Sequence, residues 1–298
     1  MALPSQAALQ RAVPVLFVLI WSTGFVVARY GMPHAGPMDF LALRFLCSAL
    51  LFIAWVRWAG ARWPQGRAQW LHLAVTGLLM HAGYLGGVWT AVKLGLGAGM
   101  ASLIVGLQPV LTALWLSAVV ARHPRVRAVQ WLGLALGLAG LVLVVWHKLQ
   151  LGQAQPANVA LAVLALASIT AGTLYQKRWV TPCDVRTASA VQLLAALALT
   201  APLALLETYA FEWHPELVGA LVWSVLVLTL GGSSLLYGLI QRGAATAVTS
   251  LMYLVPPCTA VLAWWLFDEL LTPLSLLGLA CTAVGVALVV REPQTSRA

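Results

Sequence analysis

The chain has 298 residues, 61% of them hydrophobic and 8% charged, with a formal net charge of +9 and a mean hydropathy of +0.90. Soluble domains carry roughly 25% charged residues, so this chain has too little polar surface to face water, and its bulk solvent is lipid. The basic residues fall in short loops rather than one continuous patch, which excludes a nucleic-acid footprint and reads as a membrane signature.

A helix crossing the hydrocarbon core needs about 20 apolar residues, within a range of about 17–25. Ten runs meet that requirement, at roughly 14–30, 38–58, 70–92, 98–120, 128–147, 157–177, 186–206, 217–240, 246–267 and 273–290. The separators are short and rich in Pro, Gly and charge, as in "GMPHAGP", "GARWPQGRAQ" and "ARHPRVR". None leaves room for a soluble domain. Lipid admits only helices and closed barrels, and these runs are too long and too uniformly apolar for barrel strands. The expected fold is all-α integral membrane, with ten transmembrane helices. The first run leads into "WSTGFVVARYG" without a small-residue cleavage site, so no cleavable signal is read there. Cys47, Cys183, Cys258 and Cys281 form no CxxC pair and read as inert thiols.

Orientation follows from Lys and Arg. With a cytoplasmic N-terminus, the cytoplasmic segments hold 13 basic residues, and the opposite side holds Arg29, Lys93 and Lys148. The acids lean the other way, with Asp39, Glu207, Glu212, Glu216, Asp268 and Glu269 outside and Asp184 and Glu292 inside. Both termini are therefore expected in the cytoplasm.

The chain also repeats. "WTAVKLGLGAGMASLIVGLQPVLTALW" lies over "YGLIQRGAATAVTSLMYLVPPCTAVLA" at an offset of 148, setting Ser102 on Ser250 and Pro109 on Pro257. "GLALGLAGLVLVV" lies over "GLACTAVGVALVV" at 145, and "ARYGMP" over "KRWVTP" at 149. The unit is five helices, an odd number, so the second copy enters the membrane from the opposite side. Residues 1–150 and 151–298 then form two inverted five-helix repeats, an arrangement found in many secondary transporters. Pro109 and the pair Pro256 and Pro257 fall near the middle of spans 4 and 9, where a proline frees a carbonyl one turn earlier. Kinks at matching places in inverted halves point to a central binding site; packing kinks are the other reading.

The stretch "IWSTGFVVARYGMPHAGPMDFLALRFLCSALLF" resembles the first two helices of EamA-type transporters of the drug/metabolite transporter superfamily. Trp21, Phe25, Pro37, Arg44 and Phe45 fill the places of that family's pattern. The segments around Pro109 and Pro257, with Glu269 and the Gly-rich helices after them, resemble the family's ending of each half. Ser22 stands where the family usually has Gly, and "VVARHPRVR" lacks the acid that Glu269 supplies in the second copy. The resemblance covers nearly the whole chain and implies ten helices, cytoplasmic termini, and export or exchange of small metabolites, without naming one substrate.

The residues themselves supply no ATP-binding motif, no HExxH and no Ser-His-Asp set, and no cofactor or metal is expected. No Asp or Glu lies deep in any span, although carboxylate relays are common in pumps. His81 is the one histidine near a midplane; it reads equally as a titrating group or as a structural hydrogen-bonding one. Tyr84 shares its helical face. The residues expected to line a central cavity, formed mainly by spans 1, 3, 4, 6, 8 and 9, are Trp21, His81, Tyr84, Gln108, Tyr175, Tyr237 and Tyr253, with Pro109, Pro256 and Pro257 shaping it. Aromatic faces with a few polar ends suit an amphipathic organic solute.

Arg44 sits inside an otherwise apolar run, where a guanidinium is costly. Three roles are open: a structural or gating pairing, snorkelling to the outer interface, and attraction of a substrate carboxylate. Gly133-x-x-x-Gly137 permits close helix contact, within one chain or at a homodimer face. Together these features point to a multi-pass transporter of the cell membrane. Its partners are a small-molecule substrate and membrane lipid, not nucleic acid. Its task is export of a small organic metabolite, with amino acids as the leading class. A membrane-embedded enzyme or lipid-handling protein is the rival reading.

Overall fold

The computed structural model describes residues 6–119, 128–152, 154–232, 235 and 254–290. Helices and connecting turns account for them, with no strand among the described residues. In chain order, α1 spans Gln6–Gly31, α2 Pro37–Trp58, α3 Arg67–Lys93, α4 Ala98–Val105, α5 Gln108–Val119 and α6 Ala128–Gln150. Next come α7 (Pro156–Trp179), α8 (Val185–Ala204), α9 (Pro215–Gly231), α10 (Val255–Phe267) and α11 (Pro273–Val290). Of these, α2, α3, α6, α7 and α8 are long and apolar enough to cross a membrane, and five shorter apolar stretches lie in the others. Pro37, Pro156 and Pro215 open their helices, where a missing N–H removes no bond.

Two helices contain a π-helical segment, Leu78–Gly83 in α3 and Trp223–Gly231 in α9. The 148-residue offset maps the first onto positions 226–231, inside the second. A π turn shifts the backbone ladder by one residue, and hydroxyls attend the altered carbonyls. Ser168 Oγ donates to the Leu79 carbonyl at 2.8 Å, and Thr229 Oγ1 to the Ser224 carbonyl at 2.8 Å.

The helical path also breaks at matching places. Gly106 and Leu107 separate α4 from α5, and α10 begins at Val255, the counterpart of Leu107 at the same offset. Gly106 approaches the Pro256 ring so closely that a Cβ there would lie 2.7 Å from Pro256 Cγ. The interrupted elements of spans 4 and 9 thus pack on each other. Beyond α10, Asp268 adopts left-handed backbone (φ 53°), and the turn lets Glu269 Oε1 accept from the Ala98 N–H, capping α4 at 2.8 Å.

The two Gly-rich helices pack antiparallel. A Cβ on Gly140 would meet the backbone at Gly278, and one on Gly285 the backbone at Gly133 and Gly137. At the 145-residue offset Gly140 corresponds to Gly285 and Gly133 to Gly278, so each contact is the other with the helices exchanged. The face carrying Gly133 and Gly137 is therefore occupied by α11 of the same chain. Helices α2 and α8 also run antiparallel. Glu207, just after α8, bonds the first turn of α2, while Thr187 in the first turn of α8 donates to the Arg62 carbonyl beyond α2. All four cysteines are free.

Candidate functional site

A cavity of about 140 Å³ lies between α1, α2, α3, α7, α8 and α9. Spans 2 and 7 replace the expected spans 4 and 9 in its described wall, because the broken helices turn toward each other and toward Ser22 of α1. Ser22 Oγ lies 3.4 Å from the Val255 carbonyl, and Thr259 Oγ1 donates to the Ser22 carbonyl at 3.3 Å.

The wall is built from repeat partners. Trp21, Phe45, Met80 and His81 face in from one half; Ile169, Leu193, Leu228 and Thr229, their counterparts at an offset of 148, face in from the other. Two glycines make the fit close. Gly24 of α1 stands against Leu228, and Gly172 of α7, its counterpart, against Met80, which is the counterpart of Leu228.

Arg44 also lines the cavity and is only 8% exposed. Its side chain turns inward rather than toward an interface. Nη2 and Nε lie 3.2 and 3.4 Å from Thr229 Oγ1. Thr229 spends its own proton on the Ser224 carbonyl, so it offers lone pairs to the guanidinium. The exchanged pair is also in contact. Gln192, counterpart of Arg44, bonds His81, counterpart of Thr229. His81 also meets the Phe45 ring edge-on at 6.0 Å, and Trp89, which lines the cavity too, stacks on Phe40 at 4.3 Å. Among the described residues no carboxylate pairs with Arg44.

Of the residues singled out from sequence, Trp21, Arg44, His81 and Tyr84 come together here. Gln108 does not join them; its Nε2 lies 3.3 Å from Thr173 Oγ1. Tyr175 lies toward one end of the bundle, where its hydroxyl bonds His72 Nδ1 at 2.8 Å. Pro109 sits in the first turn of α5, Pro256 is buried against Gly106, and Pro257 is half-buried beside it. Tyr237 and Tyr253 lie outside the described residues. Phe25, Phe45 and Thr229 line the cavity without having been singled out as lining. The repeat offset applied to His81 and Trp21 was the signal that leads to Thr229 and Ile169.

Polar contacts tie both ends of the bundle. At one end Lys93 Nζ donates to the Met32 and Ala35 carbonyls at 2.6 and 3.0 Å and lies over the Tyr209 ring. There Glu207 accepts from the Met38 N–H at 2.9 Å, and burial raises its carboxyl pKa above the ordinary value. His34 Nε2 meets Glu216 Oε2 at 2.9 Å nearby. At the other end Gln69 exchanges two bonds with the Thr181 backbone, at 2.8 and 3.2 Å. The result is a small chamber with one fixed cation, one imidazole and aromatic walls, suited to holding an organic solute between two ends.

The EamA-like transporter family model matches residues 13–146 and 157–291. An "Uncharacterized transporter" of Archaeoglobus fulgidus is 28% identical over 284 residues, covering 92% of this chain and 94% of that protein. The "Uncharacterized inner membrane transporter YedA" of Escherichia coli K12 is 27% identical, covering 91% and 87%. A "Probable amino-acid metabolite efflux pump" of Salmonella typhimurium is 26% identical, covering 91% of each chain. One crystal structure superposes with a TM-score of 0.65 at 19% identity over 94% of this chain and 96% of the other, a likeness of fold. The chain is an integral membrane transporter rather than an enzyme, and it belongs to the EamA-like transporter family.

Proposed function

We infer that the protein is a secondary transporter of the cell membrane with ten spans, arranged as inverted repeats over residues 1–150 and 151–298 and with both termini in the cytoplasm. It moves a small organic metabolite by alternating access, in the direction of export, with amino acids as the leading class. The observation that carries this reading is the pairing of repeat partners around one cavity. A wall built from the same positions of two antiparallel units opens to either side by equivalent motions. The Salmonella relative's name supports the substrate class.

Two experiments test it. Liposomes containing the purified protein and loaded with unlabelled amino acids are expected to take up labelled amino acid by counterflow, recovered chemically unchanged. No counterflow with any amino acid would remove that class. Single cysteines at Glu212 and Arg125, in a background lacking the four native thiols, are expected to label from opposite sides of the membrane. Labelling of both from one side would overturn the inverted topology.

A further inference from the structure

The cavity holds a cation for which no described residue supplies a counter-charge. Arg44 is nine-tenths buried and offers five N–H groups. The Thr229 hydroxyl receives two of its contacts, and among the described residues no other acceptor meets it. The shortage extends to the whole sequence. The eight acids are Asp39, Asp184, Glu207, Glu212, Glu216, Asp268, Glu269 and Glu292, none in the middle of an apolar run, and positions 236–253 contain none. An arginine in protein stays charged, and a buried charge without a partner is expensive. Only one half carries such a group, since the counterpart of Arg44 is Gln192.

Resting on the transport reading above, we propose that Arg44 is the docking point for a carboxylate of the transported solute, and that the cavity takes small organic monoanions with an aromatic or apolar body. The free edge of the guanidinium accepts a carboxylate as a bidentate, charge-assisted pair. The rings of Trp21, Phe25, Phe45 and Tyr84 provide the apolar wall. The volume of about 140 Å³ compares with the roughly 150 Å³ apolar cavity that takes benzene. Amines are repelled by the fixed cation. A zwitterion places its carboxylate on Arg44 and leaves its ammonium to the ring faces, so it binds less tightly than the matching monoanion.

The test is equilibrium binding to purified protein in detergent, with benzoate, phenylacetate and indole-3-acetate against benzylamine and phenethylamine. At least one carboxylate is expected to bind wild type, and the amines are expected not to compete. Arg44→Gln is expected to weaken carboxylate binding roughly ten- to a hundred-fold, and Arg44→Lys less. Thr229→Asp sets a carboxylate beside the guanidinium, and it should abolish binding while keeping Arg44. This second variant serves if Arg44→Gln does not fold. Failure of every carboxylate to bind wild type, amine competition as strong as that of the acids, or unchanged binding in the folded variants would each overturn the proposal. Arg44-dependent binding without counterflow of any solute keeps the site and removes the transport reading. Counterflow that Arg44→Gln leaves unchanged keeps transport and removes the site.

Discussion

The two halves meet at the cavity with the same backbone and different chemistry. Both bring a π-helical turn to the wall, both set a glycine against the partner half's residue just before the cavity-facing polar group, and both pair a span-2-type helix with the other half's π turn. The side chains then diverge. Trp21 corresponds to Ile169, Arg44 to Gln192, and His81 to Thr229. The backbone symmetry suits a device that must work from two sides, whereas recognition of one solute in one pose needs no symmetry. Among the described lining residues, the guanidinium, the imidazole and the aromatic rings come from the first half, and the second contributes shape and a hydroxyl.

The asymmetry disappears when the halves are made alike. Arg44→Gln gives both the same amide, and carboxylate affinity is expected to fall roughly ten- to a hundred-fold. The sharper experiment moves the chemistry across the axis, combining Arg44→Gln and Gln192→Arg with His81→Thr and Thr229→His. If the halves are equivalent frames, the exchanged charge meets the exchanged partner and about tenfold of the lost affinity returns. No recovery would mean that the 148-residue correspondence does not hold for side chains.

The frame itself can be tested at the glycine contact of α6 and α11. Gly285→Leu places atoms where the Gly133 and Gly137 backbones stand. Overpacking of this kind costs about 1–3 kcal/mol, and the melting temperature in detergent is expected to drop by roughly 2–10 °C. The same substitution at Gly140 should cost a similar amount, because its contact is the exchanged one. A large effect at one glycine and none at the other would contradict the shared packing.

How much of this is legible in the sequence depends on what a residue costs in lipid. Arg44 and His81 declare themselves because polar groups in apolar runs are expensive, and both reach the cavity. Phe25, Phe45 and Thr229 look like ordinary helix residues, so polarity cannot separate them from residues facing lipid. Gln108 and Tyr175 are polar at plausible depths, but their needs are met by Thr173 and His72 away from the wall. The repeat offset, read from Gly, Ser and Pro positions, is the better guide because it follows backbone geometry. The π turns leave no composition of their own and are not read from sequence at all.

His81 and Thr229 offer a finer comparison. The hydroxyl does its structural work without a titrating proton, so the matching place does not demand proton transfer. Flux in liposomes at zero membrane potential is expected to ignore an imposed pH gradient, and His81→Gln to change solute affinity by less than about fivefold, as for one neutral hydrogen bond. Accumulation driven by acid outside and lost in His81→Gln would give the ring a coupling role.

The smallest effect concerns how each half caps its second helix. Gly36 is the N-cap of α2 and Asp184 that of α8, again 148 residues apart. Asp184 caps its own helix, accepting from the Arg186 N–H at 2.9 Å and holding the Arg186 guanidinium at 2.6 Å. Gly36 has no side chain, and the space is filled by Glu207 from the end of α8. The carboxyls do similar work in opposite surroundings. The bond to Arg186, with further help from the backbone, holds Asp184 below its ordinary value of 3.8, while burial pushes Glu207 above 4.5. The linkage signs are therefore opposite. The Asp184 carboxylate adds stability above pH 3.8, lost as the pH falls through its lower folded value. The Glu207 carboxyl favours the folded state most below pH 4.5, and that advantage is lost as the pH rises through its higher folded value. Accordingly, Asp184→Asn should destabilise at pH 7 by less than about 1 kcal/mol, as for an exposed ion pair, with the gap closing as acid is added. Glu207→Gln should be neutral or stabilising at pH 7 by a few tenths of a kcal/mol at most, since an amide oxygen still accepts from the α2 N-terminus. That gap should also close toward pH 4.5, from the other side. Thermal unfolding in detergent from pH 7 to about pH 2.5 measures both, the Glu207 gap closing above pH 4.5 and the Asp184 gap only below pH 3.8, and two gaps of the same sign would mean that the two caps share one electrostatic setting after all.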